Sequence, residues 1–241
     1  MPSYKTKLLT FAAKRYIDKS RFEKVLGLPE EFTVTCHAGA MLTKANTLKS
    51  VEEAVNWGAD IVEFDVSFRP DSTPVIIHNP SPKINQGVLL EDALRIVAKS
   101  KTCRINLDIK STKNLAEVDR LVKKHGLFDR VFYTGVFEDW VDAVKATSSI
   151  PYYLNHNVSE EEAHNESSAT AIADKIKTLG ACGLNSNLKY ITKELVDVMH
   201  QNYLLVSLWT ANSPEDMIKA LKTYPDNITT KKPNTLKALI K

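Results

Sequence analysis

Ile61-Val62-Glu63-Phe64-Asp65-Val66-Ser67-Phe68, followed by a turn and then Pro74-Val75-Ile76-Ile77-His78-Asn79, is the stretch on which the reading of this chain rests. In an extended strand successive side chains point to opposite faces, so Val62, Phe64 and Val66 share one face and Glu63, Asp65 and Ser67 the other. A surface strand could show that alternation with its polar face in water. The same pattern returns, however, in Ile105-Asn106-Leu107-Asp108-Ile109-Lys110, and helices on both sides of these strands predict a parallel sheet whose strands are buried on both faces. Carboxylates turned inward need a partner, because each would otherwise cost several kcal/mol of desolvation. A divalent cation held by Glu63, Asp65 and Asp108 would make their ionised forms the favoured ones. Oxygen-only donors point to Mg²⁺ or Ca²⁺ over zinc.

Outward from this centre, the chain alternates. Leu8, Leu9, Ala12, Tyr16 and Ile17 recur at helical spacing, and Phe22, Val25 and Leu26 follow them. One or two N-terminal helices are expected there, capping one end of the core. Phe32 to Cys36 reads as a strand that delivers His37 into a short loop, and Thr47 is a plausible N-cap for a helix through Trp57, with Gly58 ending it. After His78 a polar loop runs to Gly87. Helices are then expected at 90–99, 115–125, 139–146, 160–179, 193–201 and 213–222, and a last short one reaches Lys241. Between them strands are expected at 131–135, 152–155, 183–185, 204–209 and 227–230.

About eight strands alternating with helices, without linker or repeat, predict an α/β fold of the TIM (β/α)8 barrel type. Residues 1–31 are expected as N-terminal helices packed on the barrel and 32–241 as the barrel itself, in one domain. Active sites of that fold collect at the C-terminal ends of the strands, where His37, Glu63, Asp65, His78, Asp108, Lys110, Asn155, Asn185 and Trp209 all fall. His37 and His78 flank the acidic strand and become an acid/base pair, since imidazole exchanges a proton near neutral pH. Lys110 reads as a salt-bridge partner of Asp108 and equally as a contact for an anionic substrate, two readings that do not exclude each other. Trp209 is either core or a pocket wall. His125, His164 and His200 sit among polar neighbours in helix or loop contexts and read as structural.

The 241 residues carry a formal charge of +3 with 25% charged and 43% hydrophobic side chains, ordinary values for a soluble globular domain. No basic block suggests nucleic acid. Cys36, Cys103 and Cys182 are an odd number set in or beside apolar runs, which predicts buried thiols in a reducing compartment. The run from Leu8 to Ala13 is too short for a signal peptide core and nothing approaches a membrane span, so the expected location is cytoplasmic.

The constellation resembles the glycerophosphodiester phosphodiesterase family, within the phosphatidylinositol-specific phospholipase C-like phosphodiesterase superfamily. His37 with Gly39 resembles its opening His-Arg-Gly, Asn46-Thr47-Leu48 its Glu-Asn-Thr-Leu, and Gly58 to Val66 its most specific segment. Val75-Ile76-Ile77-His78 is similar to the second histidine motif, Leu107-Asp108-Ile109-Lys110 to the third metal ligand with its lysine, and Leu208-Trp209-Thr210 to the pocket tryptophan. The resemblance implies a barrel that binds one Mg²⁺ or Ca²⁺ through Glu63, Asp65 and Asp108. It would cleave a small glycerophosphodiester into glycerol phosphate and an alcohol. His37 and His78 would be the catalytic pair, the substrate's neighbouring hydroxyl the nucleophile, and a cyclic phosphate the intermediate.

The sequence also departs from the pattern. Ala38 stands in place of the family arginine that helps hold phosphate, Ala45 replaces an acid, Asn79 an aspartate, Asp108 a glutamate, and Lys231 stands where an aspartate is usual. A diester anion beside three carboxylates needs compensating charge, so Lys110 and Lys231 are expected to bind substrate together with Trp209. Lys231 would take over from the missing arginine, against its plain reading as a solvated lysine. Lys232 should point the other way if the strand continues. The alternatives are a phospholipase D-like lipid phosphodiesterase of the same fold, which would want an exposed apolar rim that the sequence does not advertise, and a non-catalytic phosphate or metal binder.

Overall fold

The computed structural model describes residues 1–20 and 22–240. Among these the chain runs α1 (Tyr4–Lys19), β1 (Thr33–Cys36), α2 (Leu48–Trp57), β2 (Ile61–Phe68), β3 (Pro74–Ile76), β4 (Val88–Leu89), α3 (Leu90–Val97), β5 (Arg104–Ile109) and α4 (Leu115–Lys124). It continues through β6 (Val131–Val136), α5 (Val141–Thr147), β7 (Tyr152–Asn155), α6 (Glu160–Ala163), α7 (Glu166–Leu179), β8 (Gly183–Asn187) and α8 (Lys193–Gln201). It ends with β9 (Leu205–Trp209), α9 (Pro214–Leu221), β10 (Asn227–Thr230) and α10 (Pro233–Ala238).

Eight strands pair in parallel in the order β1-β2-β5-β6-β7-β8-β9-β10, and β10 returns to β1 through Thr33–Asn227 to Cys36–Thr230, so the sheet closes into a TIM barrel. β3 and β4 are an antiparallel addition on the upper half of β2. β2 is buried along its whole length, as a strand between a filled interior and an outer ring of helices must be. Its apolar face, Val62, Phe64 and Val66, joins the large cluster shared with the helices, whereas Ile61 packs with Phe132 and Tyr153 in a small separate cluster. By strand parity Ile61 lies on the face of Glu63 and Asp65, so the barrel interior is apolar at its base and polar above. Two polar pairings lie in that interior. Asn227 Nδ2 donates to Thr35 Oγ1 at 2.8 Å, and Thr134 Oγ1 to Asn106 Oδ1 at 2.8 Å.

Local chemistry accounts for most boundaries. Thr47 accepts the Ser50 N–H and starts α2, and Gly58, at φ 87°, ends it in the left-handed conformation that glycine adopts without strain. Three expectations change. The helix expected over 160–179 is two: Ser159 and Glu162 form a capping box on α6, and Asn165 starts α7 afresh by accepting the Ser167 N–H. The last helix ends at Ala238, and Lys241 lies outside the described residues. The N-terminal segment forms a single helix that lies along the outside of the ring instead of closing one end. Thr6 Oγ1 donates to Glu53 on α2 at 2.6 Å, Trp57 donates to Thr10 at 3.1 Å, and the helix packs on α10.

Candidate active site

The acids converge because of register. Glu63 pairs with Asn106 and Asp65 with Asp108 across β2 and β5, so in a parallel sheet all three carboxyls rise on one face within two residues of height. One oxygen from each of Glu63, Asp65 and Asp108 lies within 4.8 Å of the others. Glu63 and Asp65 are buried and Asp108 is half-buried. Lys110 Nζ sits 2.9 Å from Asp65 Oδ1 and 2.6 Å from Asp108 Oδ2. Burial draws the Lys110 ammonium down, but the two aspartates more than offset it and leave it above the ordinary lysine range. Glu63 has no such cation. Its Oε2 accepts the Ala38 N–H at 2.6 Å, and burial, then the charges of Asp65 and Asp108, push its carboxyl well above the usual range. Burial likewise raises Asp108. Three carboxylates therefore face one ammonium, in a set of oxygen donors only, and the deficit of positive charge suits a hard divalent cation.

Further groups hold this arrangement in place. Asn46, at φ 54°, grips Asp65 at both ends: its Nδ2 donates to Asp65 Oδ2 at 2.6 Å and its Oδ1 accepts the Asp65 N–H at 3.0 Å. Gly135, at φ 75°, lets β6 close on Asp108; a Cβ built there would stand well inside 3.0 Å of Asp108 Oδ1 and the Ile109 carbonyl. Its N–H donates to Asn155 Oδ1 at 2.9 Å, which also accepts from Asn185 Nδ2 at 2.9 Å. The sequence placed Asn46 in a family-like motif without giving it this contact, and Gly135 was passed over as the end of a strand. The signal for the glycine was present, since an isolated glycine inside a strand marks close backbone approach.

His37 follows β1 and its Nδ1 lies 2.9 Å from the Ala38 carbonyl and 4.0 Å from Glu63 Oε2. A carbonyl only accepts, so Nδ1 carries the hydrogen and Nε2 is left with its lone pair. Burial lowers the affinity of this ring for a second proton, against the opposing effect of the Ala38 hydrogen bond. His78 is exposed and follows β3. The histidines do not flank β2. Val62 pairs with both Cys36 and Ile105, and Val66 with both Ile76 and Ile109, so β1 and β3 share the edge of β2 opposite β5. They approach each other along it from opposite directions, with the Ile77 N–H on the Asp65 carbonyl at 3.0 Å. The backbones of both histidines thus leave from strands on the same edge of β2.

Trp209 ends β9, and its Nε1 is the buried side-chain polar atom without a partner among the described residues. Lys231 is exposed just past β10, close enough for its charge to act on His37. Its N–H donates to Asn212 Oδ1 at 2.9 Å. β10 stops at Thr230 and Lys232 is the N-cap position of α10, so strand alternation does not set these two lysines apart. Three of the four remaining histidines have structural partners: His125 meets Glu91 at 3.1 Å, His200 meets Asp226 at 2.9 Å and His156 meets Glu162 at 2.9 Å. The three cysteines are free. Burial raises the thiols of Cys103 to about 11 and Cys182 to about 12, away from reactivity.

Residues 37–86, from the first histidine through the second, match the glycerophosphoryl diester phosphodiesterase family model. No curated protein matches by sequence. Among solved structures, the Oleispira antarctica phosphodiesterase in complex with the product sn-glycerol-3-phosphate superposes with a TM-score of 0.68 at 18% identity, covering 88% of this chain and 96% of that one. A glycerophosphodiester phosphodiesterase from Parabacteroides distasonis gives 0.67 at 19% identity, covering 89% and 96%. One from Thermotoga maritima gives 0.65 at 19%, covering 84% and 96%. At such identities the likeness establishes a common barrel, and the matched segment carries the acids of β2 and both histidines. In that segment the chain is similar to the glycerophosphoryl diester phosphodiesterase family, and over its whole barrel it shares the fold of these solved structures.

Proposed function

We propose that this barrel is a metal-dependent phosphoric diester hydrolase that cleaves glycerophosphodiesters to glycerol phosphate and an alcohol, with His37 and His78 as its acid/base pair. The observation that carries the reading is the cluster of Glu63, Asp65 and Asp108 at the strand ends, with the strands that precede His37 and His78 paired on one edge of β2. Glu63, Asp65 and Asp108 would hold Mg²⁺ or Ca²⁺, which when bound supplies positive charge to the phosphoryl oxygens. Nε2 of His37 takes the proton of the attacking hydroxyl, for which its free lone pair suits it, and His78 returns one to the leaving alcohol. Lys110 holds Asp65 and Asp108 together through its contacts to both. Trp209 walls the glycerol end and offers its unpartnered N–H, and Lys231 supplies the charge that Ala38 does not.

A second reading, a lipid phosphodiesterase of the same fold, is favoured by three exposed apolar side chains on connections around the mouth. These are Leu42 after β1, Ile84 between β3 and β4, and Phe137 after β6. A hydrolysis panel of glycerophosphodiesters and lysophospholipids, run with divalent metal and with chelator, tests both. Turnover of soluble diesters that chelator abolishes supports the first reading, and turnover confined to lysophospholipids supports the second. No turnover of either class would overturn the assignment.

A further inference from the structure

α1 has two faces, and only one is used. Ile17 and Thr6 are buried against the ring. Tyr4, Leu8, Phe11 and Tyr16 are instead 82%, 55%, 61% and 56% exposed. A helix on the flank of a soluble barrel ordinarily turns polar side chains outward, and an apolar stripe rimmed by charge marks a surface that meets something else. The charge is of one sign. Lys5, Lys7, Lys14, Arg15 and Lys19 border the stripe, and the single acid of the helix, Asp18, is taken up by Lys24 at 2.9 Å.

That charge selects the occupant. A second copy packed on this face about a twofold axis would bring basic side chains against basic side chains. An anionic lipid surface complements them, and the headgroup region accepts Tyr, Phe and Leu from a helix lying in its plane. We propose that α1 docks this enzyme on anionic membranes through Tyr4, Leu8, Phe11 and Tyr16. Lys5 Nζ donates to the Leu42 carbonyl at 3.0 Å in the loop after β1, and Leu42 itself is 71% exposed. The start of the docking helix is therefore tied to the rim of the barrel mouth, and a surface that receives α1 lies beside that rim. Docking does not depend on the hydrolysis proposed above, because no residue of α1 belongs to the candidate site.

Co-sedimentation with vesicles tests it, using phosphatidylcholine alone and phosphatidylcholine mixed with phosphatidylserine. The protein should partition onto the mixed vesicles and not onto the neutral ones, and added salt should weaken the partitioning. The L8S/F11S and K14A/R15A variants should each lose roughly tenfold in partitioning. All four side chains are exposed, so circular dichroism should be unchanged. No partitioning of wild type onto mixed vesicles, or equal partitioning of both variants, overturns the proposal. So does a concentration-dependent dimer in light scattering that L8S/F11S disperses, which would assign the face to a second copy.

Discussion

Asp65 and Asp108 stand opposite each other as register partners on β2 and β5, and a single ammonium, that of Lys110, bridges them at 2.9 and 2.6 Å. The site's charge balance turns on this bridge, because without it two partly desolvated carboxylates would face each other alone. Lys110→Met should therefore destabilise the metal-free protein by about 2–3 kcal/mol, somewhat below the usual cost of breaking a fully buried pair because Lys110 keeps some solvent contact. Saturating Mg²⁺ or Ca²⁺ should recover much of that loss by supplying the missing charge. Urea unfolding with and without the cation reads both effects, and an equal loss in the two conditions would contradict a cation site at these aspartates.

Gly135 yields the second prediction. Gly135→Ala adds a Cβ into Asp108 and the Ile109 carbonyl at a positive φ, whereas Gly126→Ala adds one at φ 65° with nothing within 4 Å. Strain at a left-handed position alone costs about 1–2 kcal/mol. The Gly126 variant should lose that much, while the Gly135 variant should lose more and also bind the cation less tightly. Chemical denaturation and calorimetric titration of the two variants check this, and matching losses would refute the close approach.

How far the sequence reaches can be judged residue by residue. The alternation of Glu63 and Asp65 is local, so parity alone put them on one face, and its return at Asp108 implied a shared interior. Closure of eight strands followed from the repeated strand and helix pattern. Asn46 was harder, because its role is a contact with a residue 19 positions away made from a left-handed backbone. The common edge of His37 and His78 depends on β3 folding back antiparallel on β2, which strand parity does not encode. The break before α7 was legible in principle: Ser159 with Glu162 spells a capping box, and Asn165 is a good N-cap.

Acid stability provides a check remote from the site. Glu91, at the start of α3, accepts from Lys124 at 2.7 Å, contacts His125 at 3.1 Å and lies 3.2 Å from Arg95. The hydrogen bond from Lys124, then that from His125, lowers its carboxyl from 4.5 to about 2. Its folded value lies below its unfolded one, so its contribution is present above 4.5 and is lost as pH falls toward 2. Glu91→Gln should be less stable than wild type at pH 6 and converge with it near pH 2. A gap that stayed constant across that window would show that the ion pairs do not shift Glu91.

A further prediction concerns Lys231. Its charge reaches His37, while Lys232 heads α10 on the same turn. Lys231→Ala should raise KM for a diester roughly tenfold with little change in kcat, as expected for lost ground-state binding of an anion, and Lys232→Ala should change neither. Equal behaviour of the two variants in steady-state assays would return Lys231 to the solvated surface.

On the proposed function, His37 and His78 move the protons of a diester hydrolysis beside a cation held by Glu63, Asp65 and Asp108. The most direct measurement is the hydrolysis rate of His37→Ala and His78→Ala on a glycerophosphodiester that wild type cleaves, with cation binding checked by calorimetry in each variant. Both should keep the cation and lose on the order of 10² to 10⁴ in rate. Either variant turning over at the wild-type rate with its cation bound would contradict the two-histidine account.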